Sequence, residues 1–306
     1  MAKKVVQAAK AKKNAKALKL KEVAEKINAG LQDYIKSGRY AELLMCMSNL
    51  GKYSLNNQLW LMLQMPSVSK VGTFKQWQAQ GRTIKAGEKA IHLLAPITIV
   101  DKDDKKNSDD KTPTVANAVS AKPKKERVIV VGFRSIPVFD ISQTDGPELP
   151  KPIEVPEKTV PDYDKKVAGL MALAQKNGYK VSFDDQDMED GCDGWCNHRT
   201  HEIHVRPYDN QYKMFSTLCH ECGHMLAHSK ERSDFKGIKV TDVRGIKELE
   251  AQSIAAVVCN SVGLPISDWD FGYIAGWAGE LAPERFRKNL EVILKCSKEE
   301  LEAIGA

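Results

Sequence analysis

The sequence predicts an α+β chain in two parts: a mixed helix-and-strand N-terminal region, and a C-terminal region carrying an HExxH pattern on a helix. Three observations predict it. Helical and two-residue periodicities alternate along the 306 residues. The charge changes sign midway, with 26 Lys and Arg against 14 Asp and Glu in residues 1–150 and 20 against 26 in residues 151–306. Between the halves, ELPKPIEVPEKTVPDY (148–163) is rich in proline, which suits an extended linker and neither a helix nor a central strand.

The elements follow in order. Residues 1–19, rich in Lys and Ala, read as a flexible tail with the electrostatic arm as its alternative. LKEVAEKINAGLQDYI (20–35) sets Val23, Ile27, Leu31 and Tyr34 at helical spacing, and 41–50 and 56–65 read as two further helices, the second stopped by Pro66. Residues 89–100, 127–133 and 137–142 read as strands. The charged, apolar-poor stretch 101–126 reads as a disordered loop between two of them. This first region is expected to run from 20 to 150, the linker from 151 to 162 and the second region from 163 to 306. In the latter, 179–183 and 201–207 alternate as strands, and 211–230 and 244–263 are helices, the last ended by Gly263 and Pro265.

No apolar run approaches bilayer length, and the first twenty residues lack the apolar centre of a leader. A cytoplasmic protein with no membrane partner is therefore expected. Seven cysteines, an odd number scattered over a long chain, are expected as free thiols.

In the first region, basic and aromatic residues interleave. Residues 51–100 hold six cations and a single acid, Glu88. Lys52, Tyr53, Trp60, Lys75, Trp77, Arg82, Lys85 and Lys89 are the candidates for tracking phosphates and stacking bases of single-stranded DNA. The alternative is that Trp60 and Trp77 belong to a core.

In the second region, TLCHECGHMLAHSKER (217–232) overlays two motifs. His220-Glu221-Cys222-Gly223-His224 is an HExxH, while Cys219 to Cys222 is a CxxC. At about 100° per residue the two histidines lie about 40° apart on one helix face, with the cysteine pair about 150° away. One helix cannot aim both pairs at one ion, and the i,i+4 imidazoles are the pair that converge, with Glu221 beside them as catalytic base. The cysteines then pack on the helix's buried back. Cys192 and Cys196 could form a second metal site with His198 or His201, although a turn before a strand is the preferred reading of that segment. The strand over 202–206 could serve as an edge that a bound peptide extends.

Catalytic zinc takes three protein ligands and keeps one position open. Continuing down the same helix face, His228 is better read as supporting or packing, since one straight helix seldom gives three ligands. Glu248 and Glu250 lie about 200° apart on the following helix, so only one can face the ion. Glu248 is preferred, sharing its face with Gln252, whose amide could orient the carboxylate. Glu250 is the alternative.

These segments carry a family resemblance. YSLNNQLWLMLQMP (53–66), TFKQWQAQGRTIKAGEKAIHLLAPI (73–97) and FDISQT (139–144) resemble the N-terminal single-stranded-DNA-binding domain of ArdC-type antirestriction proteins. HECGHMLAH (220–228), KELEAQSIAAVVC (247–259) and FGYIAGW (271–277) are similar to the zinc metallopeptidase domain of the same proteins, related to the ImmA/IrrE peptidases. Two departures are the charged insertion 101–126 and the cysteines flanking the motif, neither of which removes a ligand.

The resemblance places the glutamate ligand on Glu248. It implies a protein of a mobile element or phage that protects incoming single-stranded DNA from restriction, with one Zn²⁺ per chain and an unidentified protein substrate. The alternative is protection by occlusion, with a structural or latent zinc site. Tyr273 could stabilise an oxyanion in that peptidase, though both it and Trp277 are better read as core.

Overall fold

The computed structural model describes residues 25–31, 37, 39–100, 128–148, 159–185, 188–189, 191–230, 232–264 and 282–306. The Lys-rich start, the charged loop, most of the linker, and Tyr273 with Trp277 lie outside the described residues.

In the first half, residues 25–31 are helical and bury Ile27 and Leu31. Helices α1 (Tyr40–Asn49) and α2 (Leu55–Gln64) follow, then β1 (Val71–Gly72), α3 (Phe74–Ala79), β2 (Thr83–Ile84), β3 (Ile91–Val100), β4 (Val128–Asp140) and β5 (Thr144–Asp145). A capping box starts α3: the Thr73 hydroxyl accepts from the Gln76 N–H, and the Gln76 side chain answers the Thr73 N–H. Strands β1, β4 and β3 form one sheet in that order, and β2 pairs with β5.

Where two strands were expected, over 127–133 and 137–142, one continuous strand runs from Val128 to Asp140, and Ile141–Gln143 form a 3-10 turn after it. Pro137 does not break it, for a reason visible in the register. His92, its partner on β3, turns its N–H and C=O away from β4 toward the side chain of Gln64. The pair is thus a non-hydrogen-bonded one, and the missing proline N–H faces the outer side, where β1 has already ended. Asn57 bonds Leu94 in the same two-handed way, so α2 covers the free edge of β3 with two amides.

The second half contains α4 (Tyr163–Lys176), β6 (Lys180–Phe183), β7 (Gly194–Asn197), β8 (Glu202–Val205), α5 (Gln211–His228), α6 (Val240–Ser261) and α7 (Pro283–Ile304). Two expectations change here. The segment read as a turn contains β7. And β8 is no edge, because it lies centrally, parallel to β6 and antiparallel to β7. Among the described residues the edges are β6 and β7, and it is β7 that adjoins α5.

Helices α5, α6 and α7 pack together, burying Phe215, Leu218, Met225, Leu249, Ile254, Phe286, Leu290 and Ile293. The close approach of α5 to α6 depends on Gly223, where a Cβ would stand 3.3 Å from the Ala251 Cα. The halves also share packing. Helix α1 lies on α6, the buried Tyr40 hydroxyl is 2.8 Å from the Ser253 Oγ, and the Tyr40 ring meets Phe286 edge-on at 5.8 Å. No helix among the described residues is long and apolar enough to cross a membrane.

Candidate metal centre

The three residues proposed as ligands meet. His220 Nε2 and His224 Nε2 are 3.0 Å apart, and Glu248 Oε2 is 3.5 Å from each. Donors about 2.0–2.1 Å from a tetrahedral ion stand about 3.3 Å from one another, so the trio is spaced as a metal would require. It is the one such grouping of His, Cys, Asp and Glu among the described residues. Two helices make it: α5 supplies the i,i+4 imidazoles, and the Gly223 contact brings α6 near enough for Glu248 to reach them.

The outward nitrogens of both histidines are occupied. His220 Nδ1 lies 3.1 Å from Gln252 Oε1, which can only accept, so the ring carries its proton on Nδ1 and turns a lone pair inward. Gln252 was expected to orient Glu248; it orients His220 instead. His224 Nδ1 lies 3.1 Å from His228 Nδ1, and His228 Nε2 is 2.9 Å from Glu250 Oε2. Arg232 donates to the same carboxylate oxygen. An oxygen that accepts from a guanidinium accepts from His228 Nε2–H as well. His228 Nδ1 then accepts from His224 Nδ1–H, and the His224 Nε2 lone pair also faces inward. Two lone pairs and a carboxylate oxygen converge, an arrangement that wants a cation between them.

The electrostatics agree. Burial works against charge on His220, but Glu248 and Glu221 outweigh it and raise its pKa. Glu248 is desolvated, yet the two imidazoles hold its carboxyl well below the usual range. Burial lowers the His228 imidazole to about 2, with His224, Lys247 and Arg232 acting the same way, so it stays neutral as the relay demands. Burial pushes Glu250 up to about 7 against the pull of Arg232. Glu250 is fully buried and turned to His228, while it is Glu248 that stands with the two imidazoles. Glu250→Gln should therefore weaken divalent-metal affinity about 10–100-fold, the usual effect of losing an outer partner. Titration against a fluorescent chelator measures it.

Glu221 is buried beside the trio, and burial raises its pKa although His220 and His224 pull it down. It lines a cleft of about 490 Å³ with His220, His224 and Glu248, walled by β7 and by Arg244 and Lys247 of α6. A second cleft of about 590 Å³ adjoins it past Gly194, His220 and Glu221. Gly194 is the point where β7 crosses α5. A Cβ there would stand 2.7 Å from Thr217 Cγ2 and 3.2 Å from Glu221 Cγ, so a side chain would push the strand off the base. Trp195 is held by stacking on His204 at 4.2 Å, and Asp184 fixes His204 from behind at 2.5 Å.

Other expected site residues fall elsewhere. Cys219 and Cys222 are fully buried on the back of α5. Cys192 donates to the Gly194 carbonyl, and His198 is tied to the Tyr179 hydroxyl at 2.9 Å with Cys196 Sγ 3.8 Å away.

Of the proposed DNA contacts, Trp77 and Arg82 are corrected. Trp77 is 1% exposed and its Nε1–H donates to the Phe139 carbonyl. Arg82 is buried and clamps Thr144, Gly146 and Pro147. Tyr53 and Trp60 are half-buried against the core. Lys52, Lys75, Lys85 and Lys89 are exposed. Phe74, which interleaves with the same lysines in the sequence, is 56% exposed.

Residues 13–139 match the family described as the N-terminal domain of anti-restriction factor ArdC. A Bacillus anthracis protein described as uncharacterised is 24% identical over 284 residues, which is 84% of this chain and 46% of that one. The chain thus spans about half the length of that relative. Two crystal structures of the antirestriction protein ArdC from plasmid R388 are similar. The metal-free one has 19% identity and a TM-score of 0.46, covering 83% of each chain. The Mn(II)-bound one has 17% identity and a TM-score of 0.48, covering 91% of this chain and 95% of the other. The family match covers residues 13–139, so it is the first half of the chain that carries an ArdC N-terminal domain.

Proposed function

We propose that this chain is an antirestriction protein that binds single-stranded DNA through its first half and hydrolyses peptide bonds at a Zn²⁺ centre in its second. The observation that carries the hydrolase reading is the convergence of His220 Nε2, His224 Nε2 and Glu248 Oε2 beside a buried Glu221. A structural site has no use for a carboxylate base in that position, and it would fill the fourth place with a protein ligand.

A divalent ion held there would polarise a scissile carbonyl and acidify a water. The protein's own part is then to move the proton and align the peptide. Glu221, poised by burial toward a higher pKa, takes the proton and passes it to the leaving amine. The β7 edge is the alignment device. The Asp193 carbonyl bonds the Arg206 N–H on the β8 side, so by alternation Gly194 and Cys196 turn their backbone groups outward to the cleft. Peptide extension therefore belongs to β7, in place of the strand over 202–206.

The test is cleavage of a mixed peptide pool by full-length protein loaded with Zn²⁺ or Mn²⁺, alongside metal analysis. One ion per chain with chelator-sensitive cleavage is expected. One ion with no cleavage under any condition favours occlusion with a latent site.

DNA binding rests on the exposed Lys52, Lys75, Lys85 and Lys89, with Phe74 as a stacking face. Replacing Lys75, Lys85 and Lys89 by Gln in the full chain should weaken single-strand binding. It should also flatten the dependence of log K on log salt by about two units, since each phosphate contact on a single strand contributes about 0.7. An unchanged slope would remove this surface from the interface.

A further inference from the structure

The two clefts flanking the metal trio differ in charge. In the one beyond Gly194, Asp193 is neutralised: Lys213 Nζ lies 2.8 Å from its carboxylate and the Tyr208 hydroxyl 2.5 Å from it. The other cleft carries Arg244 and Lys247 along the first turns of α6. Neither cation is held in an ion pair among the described residues. The acids lining that cleft are Glu221 and Glu248, both committed to the metal centre. One arm of the groove is therefore neutral and the other positive.

Strand β7 gives the groove a direction. The chain runs from Asp193, in the neutral arm, through Gly194, which lines both clefts, to Cys196 and then His198, in the basic arm. A peptide added antiparallel to that edge runs the opposite way. Its N-terminal residues occupy the basic arm and its C-terminal residues the neutral one, with the bond over Glu221 between them.

We propose that the site selects peptides with an acidic side chain on the N-terminal side of the scissile bond, recognised by Arg244 and Lys247. This rests on the peptidase reading above and names its substrate class. A carboxylate in a partly open cleft beside two cations gains less than a buried ion pair, so the expected preference is about fivefold per acid over Ala. It should shrink as salt is raised. The terminal carboxylate of a short peptide is the same chemistry from another source, but it falls in the neutral arm and should bring no advantage.

The experiment uses the full-length metal-loaded protein and four sets of peptides: Glu N-terminal to the cleaved bond, Glu C-terminal to it, Lys in either place, and a truncated set ending in a free or amidated C-terminus. Cleavage is located by mass spectrometry, and kcat/KM is compared within and between sets. Glu on the N-terminal side should be preferred, and Arg244→Glu/Lys247→Glu should invert the preference toward Lys while leaving metal stoichiometry at one. Both side chains reach solvent, so the double variant should fold, and circular dichroism checks it. Cleavage with no acid preference, or a preference that survives the double substitution, overturns the inference and leaves the peptidase reading intact. A preference on the C-terminal side overturns the antiparallel seating. No cleavage in any set overturns the peptidase reading itself.

Discussion

Glu221→Gln should abolish peptide hydrolysis and leave the metal in place. The amide keeps the size and hydrogen-bonding reach of the carboxylate but cannot take a proton from water. The loss expected for removing a positioned general base is about a hundred- to ten-thousand-fold in kcat. Because the side chain is buried and its pKa is raised by that burial, the neutral amide also costs the fold little. Metal affinity should hold or improve slightly, since the proposed ligands are His220, His224 and Glu248 and the outward bonds of the two imidazoles go to Gln252 and His228. Single-strand binding should be unchanged, the exposed lysines being in the other half. Cleavage at wild-type rate by the variant would take Glu221 out of the mechanism. If the variant protects DNA from restriction as well as wild type does, protection does not need the chemistry.

Much of this could be read from the chain because it depends on local periodicity. The i,i+4 spacing of His220 and His224 dictates that they share a face whatever surrounds them. The helical angle between Glu248 and Glu250 allows only one of them to face the two imidazoles, and Glu248 is the one that does. What local pattern cannot supply is the neighbour. Trp77 and Arg82 lie among lysines in the sequence, yet α3 turns Trp77 onto β1 and β4, and Arg82 faces the turn after β5.

The sheet failed for the same reason. Whether β8 is central or an edge depends on β6 and β7, and β7 is four residues between a glycine and a turn, too short for alternation to show. Pro137 reads as a strand break unless the register across β3 is known. The relay through His228 was half visible: its place on the face of His224 could be read, but its partner Glu250 comes from another helix. The match over residues 13–139 was also legible in the chain, in the segments around 53–66 and 73–97.

His224→Ala and Glu248→Ala should each empty the metal site, and Cys222→Ala should not. Losing an outer partner costs about 10–100-fold in affinity, so losing a ligand should cost about a hundredfold or more. The effect of His224→Ala should be compounded, because His228 Nδ1 loses its donor and Glu250 then holds a ring with nothing to orient. Cys222 is the informative control. It is two residues from His224 and belongs to a CxxC, but its thiol is fully buried on the opposite face of α5, and burial raises its pKa far above the ordinary thiol range. A thiol kept protonated is a poor ligand. Its replacement should cost stability on the order of 1 kcal/mol through lost packing, read as a lower Tm, with metal content unchanged. Metal analysis by mass spectrometry after gel filtration decides the matter. Cys222→Ala protein without metal, together with His224→Ala protein that keeps it, would move the centre from the histidines to the cysteines.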